Sequence, residues 1–235
     1  MLQQTQVARV LIKYPIFIER FSDFKRLSQA TIKDVLQAWQ GLGYNRRALY
    51  LKEIAEIVIT QYKGNLPDNP VILDSFPGIG SATAASIVAF AYNKPTVFIE
   101  TNIRSVFLHT FFPHQTNVPD IKIIPLIEVT LDRKNPRQWY WALMDVGVIL
   151  KKAIGNPNRA SQHYSKQTRF RGSNREIRGA IVRALSDSPV LTFTRLTNTL
   201  SIEGITDRLA IEHALNTLLK DGFVAQKNGL IKIKK

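Results

Sequence analysis

The residues whose types and spacing most clearly suggest a chemical role lie between Leu73 and Ala84, in the sequence Leu-Asp-Ser-Phe-Pro-Gly-Ile-Gly-Ser-Ala-Thr-Ala. This pattern predicts the end of a short helix, a tight hairpin at Pro77-Gly78-Ile79-Gly80, and the start of a second helix. Two glycines around one apolar residue let the backbone turn sharply and approach another surface closely. The N–H groups that open the second helix then form an anion site, which a DNA phosphate can fill. The alternative interpretation is an ordinary corner between two helices.

The composition of the chain favours a nucleic-acid partner and excludes several kinds of catalysis. Its 235 residues carry a formal net charge of +14, and a soluble chain this basic most often binds nucleic acid, less often an anionic membrane surface. The absence of cysteine excludes disulfides, thiolate catalysis and iron–sulfur ligation. The four histidines lack the spacing of a zinc site, and no apolar run approaches the ~20 residues of a membrane span.

The hairpin lies within a series of helices that the apolar spacing predicts over residues 1–150. The first of them has no visible cap, from which we expect a missing N-terminal piece. The apolar run Pro95–Ile99 is predicted to be extended and delivers Glu100 to a helix start, where a carboxylate can complement the helix dipole. The predicted helices are Leu2–Lys13, Thr31–Trp39, Asn45 or Arg46–Tyr62, a short one from Pro70, Ser81–Ala91, Thr101–Thr110, Pro119–Leu131 and Pro136–Leu150.

The end of the chain is predicted to form a separate small module. Between Gly155 and Gly172 the apolar pattern gives way to Asn, Pro, Ser, Gln and Arg, which is typical of a linker. Three helices follow, and then a hairpin with its turn at Asn228-Gly229. This is the outline of a winged-helix module, which binds DNA with its third helix or pairs with protein. The helices are predicted around Ile177–Leu185, over Thr192–Leu200 and over Thr206–Asp221.

Several separate motifs, in order, resemble the A/G-specific adenine DNA glycosylases of the helix-hairpin-helix superfamily, which also contains endonuclease III. The resemblance covers roughly residues 1–165, and the tail Phe170–Gly179 is similar to the tails of some members. It implies an all-α HhH-GPD glycosylase fold of two helical subdomains over residues 1–155, a linker at 156–172 that is the vestige of a cluster loop, and a winged-helix-like α+β module at 173–235. The motifs are Met1–Val7, Trp39–Tyr44, the hairpin, Asn102 with Arg104–Val106, and Trp141–Gly147.

The resemblance implies a reaction in which a target base is flipped out of the duplex into a pocket. A glutamic acid protonates the purine, the C1′–N bond breaks toward an oxocarbenium ion that a carboxylate stabilises, and water completes an abasic site. The stabilising carboxylate falls at Glu100. The family's acid falls two residues before Met1, so either the protein begins upstream or this acid is gone.

The chain departs from the family pattern at several positions. The family has Asp-Gly-Asn where this chain has Glu100-Thr101-Asn102, and the longer side chain moves the carboxylate by about an ångström, which can cost ~100-fold at a catalytic centre. Bifunctional members carry a Schiff-base lysine at the position of Ala82, so a monofunctional glycosylase is expected. Members that remove adenine usually have a second tyrosine at Asn45, which leaves the target base open. The cluster cysteines fall near residues that cannot hold a cluster, namely Lys151, Asn158, Ser161 and Gln167.

The resemblance also implies a set of DNA-binding residues. Tyr44 suits a wedge between bases, and Arg104 can pair with a phosphate or, at i, i+4 spacing, with Glu100. Three glutamines fall where the family inserts side chains beside the lesion, although they also fit a polar helix face: Gln3, Gln4 and Gln6. The other predicted contacts, mostly to phosphates, are Arg46, Arg47, Pro77, Gly78, Ile79, Gly80, Ser81, Thr83 and Asn102.

The sequence therefore predicts a monofunctional, adenine-glycosylase-like enzyme of base-excision repair that hydrolyses the N-glycosidic bond of a flipped, mispaired base. Its expected partner is double-stranded DNA with a mispaired or damaged base, without a membrane, and we expect a monomer in a bacterial-type cytoplasm, associated with the nucleoid. No cofactor is expected, and the hairpin can hold at most a monovalent cation. The alternatives are a non-catalytic, structure-selective DNA-binding protein that has lost the acid, and a transcription regulator built on the C-terminal module.

Overall fold

The computed structural model describes residues 1–166 and 169–234, which fold into twelve α-helices and one three-stranded sheet. The predicted mostly helical fold with a small C-terminal α+β part is confirmed. By their contacts these residues form two compact units: residues 1–66 with 169–234, here called the terminal unit, and residues 67–166, here called the middle unit. Within the same ranges, no helix is long and apolar enough to cross a bilayer.

The terminal unit combines helices from both ends of the chain. Thr31, where the sequence predicts a helix to begin, caps the third helix, because its Oγ1 accepts a hydrogen bond from the Asp34 amide at 3.1 Å. The N-terminal elements are α1 (Val7–Arg20), α2 (Phe24–Gln29), α3 (Ile32–Trp39) and α4 (Arg46–Tyr62). The C-terminal elements are α10 (Asn174–Asp187), β1 (Leu191–Thr192), α11 (Phe193–Ile202), α12 (Arg208–Lys220), β2 (Val224–Lys227) and β3 (Leu230–Ile233).

One hydrophobic core runs through the terminal unit. Leu36 and Trp39 of α3 and Ile181 and Leu185 of α10 belong to the same cluster of buried side chains. Burial of this apolar surface stabilises the N-terminal and C-terminal helices together. The sequence predicted domain boundaries at residues 155 and 172. Whether residues 173–234 fold independently stays a prediction, but by their contacts these residues form one compact unit with the N-terminal helices.

The C-terminal sheet has the strand order β1-β3-β2, and both pairs are antiparallel. The turn between β2 and β3 lies at Asn228 and Gly229, with φ of 51° and 73°. Positive φ at both central residues is the geometry that favours Asn-Gly in a two-residue hairpin, as the sequence predicted. Strand β1 was not predicted, because two residues are too few to show an alternating apolar pattern.

The first helix begins at Val7 rather than at Leu2, so that prediction was wrong. Residues before Val7 form a turn in which Gln4 has a positive φ of 53°. Two apolar side chains of this helix, those of Leu11 and Ile12, are 69% and 67% exposed.

The middle unit is built around α7 (Thr101–Phe111), which packs against α8 (Asp120–Thr130), α9 (Pro136–Ile154) and a short 3-10 turn. Ile103 and Phe107 of α7 lie in its core beside Tyr140, whose hydroxyl donates to the Thr96 carbonyl at 2.7 Å. Burial raises the pKa of Tyr140 to about 12, so this phenol remains a neutral hydrogen-bond donor. The elements are α5 (Pro70–Asp74), α6 (Ser81–Tyr92), α7 (Thr101–Phe111), α8 (Asp120–Thr130), α9 (Pro136–Ile154) and the 3-10 turn Pro157–Ala160.

Candidate DNA-binding and active site

The predicted hairpin joins α5 to α6 in the middle unit. Leu73 and Phe76 are buried and anchor it, whereas Gly78 and Gly80 are exposed. Gly78 has a φ of 69°, a conformation that glycine adopts without steric cost. Helix α6 starts at Ser81, and its N-cap residue is Gly80, which makes no side-chain capping hydrogen bond. An exposed helix start with no side-chain cap is the arrangement that anion binding requires.

Glu100 lies at the N-terminus of α7, where its side chain caps the helix. Its Oε2 accepts a hydrogen bond from the Asn102 amide at 2.7 Å, and its Oε1 lies 3.4 Å from the Asn102 side-chain nitrogen. The buried Phe98, two residues earlier, fixes the segment that leads to it. The half-buried carboxylate is therefore held in one place by the backbone that follows it.

Lys151 of α9 extends this arrangement and was missed as a neighbour of the predicted site. Its Nζ donates to the Asn102 Oδ1 at 2.8 Å, so Asn102 bridges Lys151 and Glu100. Burial lowers the pKa of Lys151, and the charge of Glu100 opposes that shift. The only sequence signal was that Lys151 lies one helical turn after Gly147 of a family motif. The structure shows why this matters, since a Cβ on Gly147 would lie 2.3 Å from the Asn102 carbonyl oxygen.

The residues at the cluster positions do not fit an iron–sulfur cluster, because none of them offers a thiolate. Lys151 bonds to Asn102, and the Asn158 side-chain nitrogen donates to the Thr101 carbonyl at 2.8 Å and to the Ser105 hydroxyl. Ser161 pairs with Val118 in an isolated parallel bridge, and Gln167 lies outside the described residues. This segment is thus attached to the first turn of α7 by amide hydrogen bonds, and the part of the predicted linker up to residue 166 belongs to the middle unit.

Arg104 forms an ion pair with Asp120 rather than with Glu100. Its Nε and Nη2 donate to the two carboxylate oxygens of Asp120 at 2.7 and 2.6 Å. Such a bidentate pair is favoured over a single contact with a carboxylate that already caps the helix. The proposed phosphate contact of Arg104 stays a prediction.

The terminal unit holds the other group of predicted residues around the turn Gly41–Tyr44. Leu42 is buried and the Trp39 indole donates to the Gly43 carbonyl at 2.9 Å, which fixes the turn. Tyr44 itself has a positive φ of 49° and is 36% exposed. An aromatic ring that projects from a rigid turn is suited to stacking on a base.

Arg47 connects this turn to the N-terminal segment. Its guanidinium donates to the Gln3 carbonyl at 2.6 Å, to the Met1 carbonyl at 3.2 Å and to the Thr5 hydroxyl at 2.9 Å. It also lies 5.6 Å from the centre of the Tyr44 ring. Three exposed side chains project from the segment that Arg47 fixes, those of Gln3, Gln4 and Gln6.

Two contacts at this turn come from the C-terminal helices, and the sequence did not predict them. Arg46 forms an ion pair with Asp221, which follows α12. Arg175 of α10 donates from Nη1 to the Tyr44 hydroxyl at 2.7 Å. The predicted site residues thus form one group in each unit: the hairpin, Glu100, Asn102 and Arg104 in the middle unit, and Gln3, Gln4, Gln6, Tyr44, Arg46 and Arg47 in the terminal unit.

These features are those of a DNA repair fold, and comparison with known families agrees. The family model of the HhH-GPD superfamily base excision DNA repair proteins matches residues 1–122, and the chain belongs to this family. Among its relatives, the adenine DNA glycosylase of Mycolicibacterium smegmatis is 30% identical over 244 residues, which cover 96% of this chain and 82% of the relative. The adenine DNA glycosylase of Mycobacterium tuberculosis is 29% identical over 254 residues, which cover 96% of this chain and 80% of the relative.

A solved structure supports the same fold. A non-covalent complex of endonuclease III with DNA superposes with a TM-score of 0.55 at 18% identity, covering 64% of this chain and 71% of that one. At this identity the likeness concerns the fold alone. The predicted membership of the helix-hairpin-helix superfamily, and the resemblance to adenine DNA glycosylases, are confirmed.

Proposed function

We propose that this protein is a monofunctional DNA glycosylase of base-excision repair that hydrolyses the N-glycosidic bond of a flipped, mispaired adenine in duplex DNA. The observation that carries the proposal is the fixed carboxylate of Glu100 at the N-terminus of α7, in the same unit as the exposed hairpin. The names of the relatives support adenine as the target base. Duplex DNA as the partner is supported by the endonuclease III complex and by the net charge of +14.

In this proposal the two units divide the task of binding DNA. The amides at the start of α6 bind a backbone phosphate, which fixes the register of the duplex without reading its sequence. Tyr44 stacks between bases beside the flipped nucleotide, and the exposed glutamine side chains of the N-terminal segment occupy the place that the base has left.

The chemical step relies on the negative charge of Glu100. As the C1′–N bond breaks, positive charge develops on the sugar, and a carboxylate that is already fixed stabilises it without reorganisation. The departing base must be protonated by a second acid, which the family places two residues before the position of Met1. Ala82 has an exposed methyl group where a Schiff-base lysine would stand, which supports hydrolysis without a lyase step.

The proposal is tested by incubating the protein with duplexes that contain A opposite 8-oxoguanine, A:G, T:G or U:G, followed by alkali to cleave abasic sites. We expect strand breaks at adenine, and a loss of rate of about 10²–10³-fold in Glu100→Gln, the size of effect known for one electrostatic group. Glu128→Gln is the matched control, because Glu128 is an exposed glutamate of the same unit. Binding without strand breaks on any duplex would refute the proposal.

A second candidate, a non-catalytic DNA-binding protein, is favoured by one observation. Both carboxylate oxygens of Glu100 face Asn102, which is what a purely structural helix cap requires. This candidate predicts binding with a steep salt dependence, no base release, and the same affinity in Glu100→Gln as in the wild type. The same set of duplexes therefore distinguishes the two functions.

A further inference from the structure

The ring of Tyr44 lies near two arginines, Arg47 at the start of α4 and Arg175 of α10. The Arg175 guanidinium carbon lies 5.7 Å from the ring centre, and that of Arg47 lies 5.6 Å from it. Arg175 also donates from Nη1 to the Tyr44 hydroxyl at 2.7 Å. The ring is therefore restrained through both its face and its hydroxyl, by cation–π attraction and by a charge-assisted hydrogen bond.

Ion pairs also connect α10 to the start of α4, close in sequence to Tyr44 and Arg175. The carboxylate of Asp221, after α12, pairs with Arg46 at the start of α4 and with Arg178 of α10, the latter at 2.7 Å. Arg178 in turn lies 5.5 Å from the ring of the buried Phe223. Arg175 thus projects from a helix that is anchored to the start of α4 one helical turn further along.

The restraint on Tyr44 is not needed to build the core. Leu42 and Trp39 are buried to 3% and 1% exposure and anchor the turn, while Tyr44 remains 36% exposed. A side chain that must stack between bases loses rotamer freedom on binding, and a ring that is already restrained loses less.

We propose that the first turn of α10 is a working part of the DNA-binding surface, and that Arg175 is a positioning residue that pre-orients Tyr44 for insertion into duplex DNA. This inference rests on the proposed function, in which Tyr44 is the wedge. It assigns Arg175, in the first turn of α10, a role in distorting the duplex and not only in the stability of the unit. Arg175 acts through Tyr44, so its effect must disappear when the ring is removed.

The test measures duplex distortion without requiring base release. A duplex with 2-aminopurine beside the A:8-oxoguanine pair reports unstacking by its fluorescence, and anisotropy of a labelled duplex reports affinity. Arg175→Met keeps the length of the side chain but removes its charge and donors. We expect up to about tenfold weaker binding and a smaller fluorescence rise, since the cost of ordering one such side chain on binding corresponds to up to about a factor of ten in affinity. Arg175→Lys should restore part of the affinity but not the full fluorescence rise.

The matched control is Arg183→Met, on the same helix, where Arg183 pairs with the exposed Glu203. It should leave both signals within twofold of the wild type. In a Tyr44→Ala background, Arg175→Met should have no further effect on fluorescence or affinity, because coupled residues are not additive. Thermal unfolding of each variant shows whether the fold is retained; Arg175→Lys carries the test if Arg175→Met does not fold.

Two outcomes would overturn the inference. If Arg175→Met and Arg175→Lys match the wild type, Tyr44 needs no pre-orientation. If Arg175→Met weakens binding equally with and without the Tyr44 ring, Arg175 acts on DNA directly and not through Tyr44. A wild-type protein that binds none of the duplexes would instead refute the proposed function, and the inference with it.

Discussion

Gly147 determines how closely α9 approaches the start of α7, and replacing it with alanine gives a sharp prediction. A Cβ at Gly147 would lie 2.3 Å from the carbonyl oxygen of Asn102, 2.7 Å from its carbonyl carbon and 2.8 Å from its Cα. Ordinary van der Waals contacts of a Cβ begin at 3.4 Å, so the two backbones must separate by about 1 Å. All three atoms belong to the backbone, so no side-chain rotation relieves the overlap.

The expected cost of Gly147→Ala follows from two opposing terms. Forcing an extra carbon into a close-packed contact costs ~1–3 kcal/mol, and a rigid backbone neighbour places this case at the upper end. The higher helix propensity of alanine stabilises the helix by ~1 kcal/mol relative to glycine. The free energy of unfolding should therefore fall by about 2 kcal/mol.

The same displacement should reach the chemistry. Glu100 accepts its hydrogen bond from the Asn102 amide, so a shift of the Asn102 backbone moves the carboxylate with it. A misplacement of about 1 Å at a catalytic centre can cost ~100-fold in rate. We therefore expect both a less stable protein and a base-release rate about 100-fold lower, at DNA affinity close to that of the wild type.

The assay pairs urea unfolding, followed by circular dichroism, with single-turnover base release. Gly179→Ala is the control, because Gly179 is also helical but a Cβ there would meet nothing within 4 Å. It should raise stability by ~0.5–1 kcal/mol. A Gly147→Ala protein as stable as Gly179→Ala would refute the packing argument. A destabilised Gly147→Ala protein with wild-type base release would refute the dependence of the reaction on the start of α7.

Two further predictions concern buried polar contacts. Asn158→Ala removes the donor to the Thr101 carbonyl from a side chain that is 3% exposed, and it should lower the free energy of unfolding by ~1–3 kcal/mol, measured by urea unfolding. Burial opposes the ionisation of Asp221, but hydrogen bonds and charges of Arg178 and Arg46 outweigh it and hold its pKa below the ordinary value of 3.8. Its stabilising contribution is therefore present above that value and lost as the pH falls through the folded-state pKa. Asp221→Asn should be less stable than the wild type at pH 7, by ~1–2 kcal/mol, with the difference shrinking in melts recorded toward pH 3; an equal difference at both values would contradict this.

Local signals in the sequence were sufficient to predict much of the fold. Thr31 before an apolar helix, Asn69-Pro70 before a short helix and Asn228-Gly229 between two strands each act over a few residues. Each was confirmed because the cap or turn that they form depends on neighbouring backbone groups alone.

Contacts between distant residues explain what the sequence did not reveal. Helix α1 begins at Val7 because Arg47 binds carbonyl groups of the preceding segment, a tertiary effect with no periodic signature. The pairing of Arg104 with Asp120, and of Arg175 with Tyr44, likewise depends on how helices pack. The i, i+4 spacing predicted Glu100 as a possible partner for Arg104. Glu100 instead caps α7, and Arg104 binds the carboxylate of Asp120.

The shared core of the terminal unit has a consequence for synthesis of the chain. The middle unit is continuous in sequence, so its helices can pack as soon as residue 166 has left the ribosome. The apolar side chains of Leu36 and Trp39 cannot be buried by Ile181 and Leu185 until those residues have been synthesised, much later in the chain. During that interval the nascent chain carries an uncovered hydrophobic surface on its N-terminal helices. We therefore expect a chain truncated before α10 to aggregate through these helices, even where its middle unit folds.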